Sequence, residues 1–216
     1  MLIVALMVAG GAGVLLAWRL VVAGRVSVWL AMGTVSGAAG LASLATGRVS
    51  LSPKVFWGWS AFAGAGAGVL LYLATAVFVL IVRRAPVFDR HVEEIYDQRK
   101  GRSLPEALGL AAFIVAPGEE LFWRGLFQGR LASALGWPGA AALTWGIYIV
   151  VNAASESLPI LLGAVVSGAV WGGLALWTHG VLASLTCHTV WTGLMLVFPP
   201  GGSSRRPPAS EETPGS

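Results

Sequence analysis

The sequence predicts an all-α protein, a polytopic bundle of transmembrane helices with about seven membrane spans. Hydrophobic residues make up 56% and charged residues 11% of its 216 residues, whereas soluble domains average about 45–50% and ~25%. A helix crosses the hydrocarbon core with about 20 apolar residues. Apolar runs near that length cover residues 2–18, 26–46, 55–82, 105–129, 138–154, 158–178 and 180–198. The first run lacks a basic start and a small-residue cleavage site, so we expect a retained helix rather than a signal peptide.

One long polar interval, residues 83–104, divides the chain. We interpret 1–82 as a three-span membrane region, 83–104 as a cytoplasmic charged loop and 105–198 as a four-span core. The Pro/Gly/Ser-rich tail, 199–216, is predicted to be disordered. Ser103 and Glu106 have the spacing of a capping box, which predicts the start of a helix at this point.

The basic residues indicate topology rather than a nucleic-acid partner. The net charge is +4, but the positive charges lie at the ends of apolar runs and form no basic face. One set of loops holds ten of them, and the positive-inside rule makes that side cytoplasmic, with the N-terminus outside. We expect an integral protein of a bacterial plasma membrane, in contact with the lipid bilayer. The ten are Arg19, Arg25, Arg83, Arg84, Arg90, Arg99, Lys100, Arg102, Arg205 and Arg206.

Two adjacent carboxylates inside an apolar run are the first candidates for chemistry. Ionisable groups in a membrane span face other helices or a wet cavity, and they commonly mark functional sites. Glu120 and Arg124 are four residues apart with the acid first, which favours an ion pair within one helix. Glu119 has no such partner, so it suits a general base that takes a proton from water. The alternative is that all three residues form a compensated network that only joins helices.

His188, in the last span, is the second candidate. Helix rise places Glu119 within about 10 Å and His188 about 12 Å from the outer boundary of the membrane, so the two can meet. His179 and Glu156 are predicted to lie in turns. A zinc site needs three or four ligands, and only Glu119, Glu120 and His188 are plausible. We therefore expect no metal and no cofactor, and the single cysteine, Cys187, allows no internal disulfide.

Three short motifs in residues 104–198 resemble those of the CAAX prenyl endopeptidase and bacteriocin-processing family, also called Abi or CPBP proteins, which are intramembrane glutamic proteases. The first, Glu-Glu-x-x-x-Arg, is matched fully by residues 119–124. The second, Phe-x-x-x-His, has its nearest equivalent in residues 148–152, where asparagine replaces histidine. The third, His-x-x-x-Asn, corresponds to residues 188–192, where threonine replaces asparagine.

The resemblance implies a role for each matching residue. Glu119 would activate the water that attacks the scissile peptide, and His188 would be an oxyanion donor or a second base. Asn152 could orient a water but could not take its proton. Arg124 would hold Glu120, and Thr192 would keep one hydroxyl donor. Helix rise from residue 138, however, places Asn152 about 10 Å deeper in the membrane than Glu119.

We therefore predict an intramembrane endopeptidase that cleaves a membrane protein or a C-terminal peptide. Two rival functions remain. A catalytically weakened relative could bind a membrane partner through the same cavity, as the missing second histidine would suggest. A small transporter could use Glu119, Glu120 and His188 as a proton relay, although the sequence has no visible inverted repeat.

Overall fold

The computed structural model describes residues 1–82 and 102–200, which form helices joined by short turns and contain no strand. The N-terminal part consists of α1 (Leu2–Val22), α2 (Val28–Ala45) and α3 (Trp57–Val82). The C-terminal part continues with α4 (Leu104–Leu110), a π-helical segment (Ala111–Val115), α5 (Ala116–Glu120), a second π-helical segment (Leu121–Gln128), α6 (Gly129–Ala153), α7 (Leu158–Thr178) and α8 (Leu182–Val197). The predicted all-α fold is confirmed.

Five helical stretches are long and apolar enough to cross a membrane, and α8 is a shorter apolar helix. The longest stretch, Leu104–Ala153, has 50 residues and is broken at Gly136, whose φ is 69°. Only glycine adopts that backbone conformation at little cost, and Pro138 then starts the next arm. The described residues thus supply five membrane-length stretches and the shorter α8, and the break at Gly136 divides the longest stretch into two arms.

Residues 104–128 form one continuous helix of mixed winding, called the carboxylate helix below. The predicted capping box is confirmed at its start. The backbone N–H of Ser103 donates to the Glu106 carboxylate at 3.0 Å, and the N–H of Glu106 donates to the Ser103 hydroxyl at 3.4 Å. Its two π-helical segments lie on either side of the Glu119–Glu120 pair. Such segments are rare and often lie at functional sites.

The bundle exposes apolar side chains and encloses a cluster of polar ones within its hydrophobic core. Large apolar side chains such as Phe62, Phe113 and Val150 are exposed, as expected where lipid is the solvent. The buried interior contains eight charged or polar side chains on the carboxylate helix, α6 and α8, namely Glu119, Glu120, Arg124, Gln128, Thr144, Asn152, Ser184 and His188. This interior is where the candidate site lies.

Contacts between loops show which connections lie at the same end of the bundle. The side chains of Arg19, in the last turn of α1, and Glu156, in the turn after α6, form an ion pair. At another connection, the N–H of Val181 donates to the carbonyl of Ser50, and the N–H of Lys54 donates to the carbonyl of Thr178. Most of the predicted charged loop and the tail fall in residues 83–101 and 201–216, outside the described part of the chain.

Candidate active site

The two adjacent glutamates have different surroundings. Glu120 is 0% exposed, and its Oε1 accepts hydrogen bonds from Arg124 Nη1 at 3.2 Å and from His188 Nδ1 at 3.0 Å. A carboxylate between two basic side chains is compensated in charge. The predicted ion pair between Glu120 and Arg124 is therefore present.

Glu119 keeps more access to its surroundings and has a weaker partner. It is 7% exposed, and its Oε2 accepts a hydrogen bond at 2.9 Å from the hydroxyl of Tyr148. A phenol is a neutral donor, so it orients the carboxylate without cancelling its charge. Of the two glutamates, Glu119 is therefore the one without a charged hydrogen-bond partner.

Two carbonyls of α7 hold the polar side chains of the carboxylate helix. Arg124 Nη2 donates to the carbonyl of Gly168 at 3.2 Å, and Gln128 Nε2 donates to the carbonyl of Gly172 at 3.2 Å. The two donor residues are four positions apart, and so are the two acceptor residues. Successive turns of one helix therefore bond to successive turns of the other. Glycines let the partner helix approach closely. Gly168 and Gly172, which have a GxxxG spacing, thus supply carbonyl acceptors as well as a close helix contact.

His188 is fixed by stacking as well as by its hydrogen bond. Its ring lies 3.6 Å from that of Trp171 between centroids, at an interplanar angle of 17°. Arg124 Cζ lies 5.4 Å from the Trp171 ring and 4.6 Å from the Tyr148 ring. These distances suit cation–π attraction. The aromatic rings therefore surround the charged groups and exclude water from most of the cluster.

Asn152 lies one helical turn beyond Tyr148 and makes different contacts. Its Oδ1 accepts a hydrogen bond from Trp18 Nε1 at 3.2 Å, and its Nδ2 donates to the carbonyl of Tyr148 at 2.9 Å. Among the described residues, it makes no hydrogen bond with Glu119. The α6 side chain that reaches Glu119 is Tyr148.

The remaining predicted residues occupy less central positions. Thr192 is half-buried, one turn after His188, and makes no hydrogen bond with the two carboxylates within residues 1–82 and 102–200. His179 lies in the turn between α7 and α8, where it stacks on Trp137 with centroids 4.2 Å apart. Cys187 is a buried free thiol.

A small cavity leads from the loops at one end of the bundle to Arg124. Its volume is about 80 Å³, room for two or three water molecules at ~30 Å³ each. Three basic side chains, Arg48, Arg124 and His179, line it together with Trp137, Gly125, Gly129, Gly180 and Ser50. Burial, and then the charge of nearby Lys54, lower the pKa of His179.

The acidic, histidine and cysteine side chains of the described residues form no group of three suited to hold a metal ion. Because Glu120 Oε1 already accepts bonds from Arg124 and His188, it is a poor ligand for a further cation. A buried glutamate such as Glu119 is a residue type that can serve in acid–base chemistry.

Residues 103–194 match the family described as Type II CAAX prenyl endopeptidase Rce1-like. The match supports the resemblance of this part of the chain to that family. The match spans the carboxylate helix, α6, α7 and most of α8, and it includes every predicted site residue. No curated protein and no solved structure matched the chain.

The Rce1-like family is a family of CAAX-type membrane proteases, which agrees with the apolar helices. Its segment here brings Glu119, Glu120, Arg124 and His188 into one buried cluster, while Asn152 faces Trp18 of α1. Sequence reasoning gave no role to Tyr148, Trp171 and Gln128. Tyr148 was visible only as the residue at the phenylalanine position of the second motif, and Gln128 only by its spacing of four from Arg124, which bundles also use for packing.

Proposed function

We propose that the chain is an intramembrane glutamic endopeptidase in which Glu119 activates the attacking water. The observation that carries this proposal is the unequal treatment of two neighbouring carboxylates. Glu120 is compensated by Arg124 and His188, whereas Glu119 has only the neutral phenol of Tyr148 and retains slight exposure. A general base must keep an uncompensated oxygen within reach of its proton donor.

In the proposed reaction, Glu119 removes a proton from water while the oxygen attacks the carbonyl carbon of the peptide. The tetrahedral intermediate carries a negative oxygen, which hydrogen-bond donors stabilise. Its collapse breaks the carbon–nitrogen bond, and the proton on Glu119 passes to the leaving amine. No metal is needed for this sequence of steps.

His188 has two possible roles, and its hydrogen bond limits both. Because Nδ1 faces the carboxylate of Glu120, that nitrogen carries the proton. A neutral imidazole then has a lone pair on Nε2 and can act as a second base. An imidazolium has a second N–H there and can donate to the oxyanion.

We place the substrate among membrane proteins or peptides cleaved near their C-terminus. A second candidate function is a weakened relative that binds a membrane partner without cutting it. The contacts of Asn152 favour this rival, because both ends of its amide are already engaged by Trp18 and Tyr148. This chain therefore has no imidazole in the position of the second-motif histidine.

The test compares new protein N-termini in host membranes by mass spectrometry. Cells would express the wild type, Glu119→Gln, or the control Glu156→Gln, which alters an exposed acid in a turn. We expect the same new N-termini with the wild type and the control, and none with Glu119→Gln. Membranes with identical N-termini in all three strains would support the partner-binding function instead.

A further inference from the structure

Tyr148 is the α6 side chain in direct contact with Glu119. It is 5% exposed, and its ring packs edge-on against Trp123 and Trp171, with centroids 5.5 and 6.4 Å away. The guanidinium of Arg124 covers the ring face. Contacts on several sides hold the ring in place, so the hydroxyl has one fixed direction, toward Glu119 Oε2.

A second set of contacts fixes the backbone of the same residue. Trp18 of α1 donates to Asn152, and Asn152 donates to the carbonyl of Tyr148. Asn152 therefore acts on the position of Tyr148 rather than on Glu119. The N-terminal helix α1, which lies outside the matched segment 103–194, thereby reaches the site through two hydrogen bonds.

We propose that the Tyr148 hydroxyl, and not Asn152, is the α6 group that orients Glu119. The inference rests in part on the proposed function, because it concerns the carboxylate assigned as base. By donating its single proton to Oε2, Tyr148 leaves Oε1 as the oxygen that accepts the proton of water. Tyr148 is a positioning residue, since it acts through Glu119 and keeps its own proton throughout.

The Tyr148 hydroxyl provides a hydrogen-bond donor to Glu119 in a chain that lacks the histidine of the second motif. The motif position 148 has tyrosine instead of phenylalanine, and position 152 has asparagine instead of histidine. The two departures are four residues apart, on one face of α6. The hydroxyl gained at one position thus supplies the contact with Glu119 that asparagine, engaged by Trp18, does not make.

Infrared spectroscopy of the protein in lipid nanodiscs tests the contact without any substrate. The bands of the Glu119 carboxyl are assigned by their loss in Glu119→Gln. In Tyr148→Phe, the C=O stretch of the protonated carboxyl should move to higher frequency, because it loses a hydrogen bond. Tyr72→Phe is the matched control, because that hydroxyl donates to the carbonyl of Phe198 and not to the site.

The second readout is the cleavage kinetics of a substrate identified by its new N-terminus in the mass-spectrometry experiment described above. Tyr148→Phe should lower kcat about 10- to 100-fold, the range expected for one hydrogen bond to a charged group, with KM nearly unchanged. Unmoved Glu119 bands in folded Tyr148→Phe would overturn the inference and leave the proposed function standing. A shifted band in a protein whose wild type cuts nothing would support the inference and overturn the proposed function.

Discussion

At the scale of single residues, the two adjacent glutamates have different hydrogen-bond partners. Glu120 and Arg124 are 0% and 1% exposed, so both charges depend mainly on each other and on neighbouring side chains for compensation. Breaking a buried ion pair by removing one partner costs about 3–5 kcal/mol, whereas replacing both partners by apolar groups is often neutral. Stability should therefore depend on Glu120 far more than on Glu119.

We predict that Glu120→Gln lowers the melting temperature clearly, because it leaves Arg124 buried without its counter-charge. The double variant Glu120→Gln/Arg124→Met should recover part of that loss. Glu119→Gln should melt close to the wild type, since its partner Tyr148 is neutral. Thermal unfolding in detergent measures all three, and equal melting temperatures for the two single variants would refute the division of roles.

Asn152→His restores the histidine of the second motif. Its effect on stability and on cleavage rate depends on the contacts that Asn152 makes. Because the amide fits between Trp18 and the carbonyl of Tyr148, a larger imidazole must displace the indole. Overpacking of this kind costs about 1–3 kcal/mol. We expect a lower melting temperature and no gain in cleavage rate. A rate increase of tenfold or more would show that the histidine reaches the water beside Glu119.

At the scale of elements, the carboxylate helix depends on a close contact with α2. A Cβ built on Gly118 would lie 2.2 Å from the carbonyl oxygen of Ser36, and one on Gly40 would lie 2.7 Å from the Cα of Gly118. Backbone atoms cannot move aside as a flexible side chain can. The residue before Glu119 is thereby held against α2 with no room for a side chain.

Gly118→Ala should therefore force the two helices apart and displace Glu119. We expect a loss of stability of about 1–3 kcal/mol and a marked fall in cleavage. Gly109→Ala, on the same helix, is the matched control, because its Cβ would meet nothing within 4 Å. The control should be as stable as the wild type or slightly more so. Wild-type activity in Gly118→Ala would contradict the close packing.

The sequence predicted where the helices lie better than it predicted their winding or the contacts between their side chains. Hydropathy located the apolar runs, and the Ser103–Glu106 spacing gave the start of the carboxylate helix, because both signals are local. The two π-helical segments were not predicted, because neither signal reports the winding of a helix or its contacts. Tyr148 was missed for the same reason, since its contact with Glu119 joins residues 29 positions apart and depends on the helix break at Gly136.

At the scale of the whole molecule, the N-terminal helices complete a site that belongs to the C-terminal part. Helix α1 supplies Trp18 to Asn152, and α2 packs directly on Gly118. On α3, Gly64 and Gly68 approach the backbone of α8 near Ala183 and Cys187, which supports the helix that carries His188. The polar cluster is thus enclosed by both halves of the chain.

The enclosed cluster leads to a prediction about metals. Glu119, Glu120 and His188 are the candidate ligands, and Glu120 is already engaged by Arg124 and His188. EDTA and phenanthroline should therefore leave cleavage by the purified protein unchanged, since a zinc site needs three or four ligands. Cleavage measured before and after chelation, with zinc added back, checks this. Reversible inhibition restored by zinc would require a different mechanism.

The central claim is that Glu119 is the base that activates water. The most direct measurement is the cleavage rate of purified wild type and Glu119→Gln in proteoliposomes, with a substrate identified in the membrane comparison and melting temperatures measured in parallel. The amide keeps the shape of the side chain but cannot take a proton, so we predict a rate loss of at least about 10²-fold at an unchanged melting temperature. Cleavage at the wild-type rate by folded Glu119→Gln would contradict the assignment.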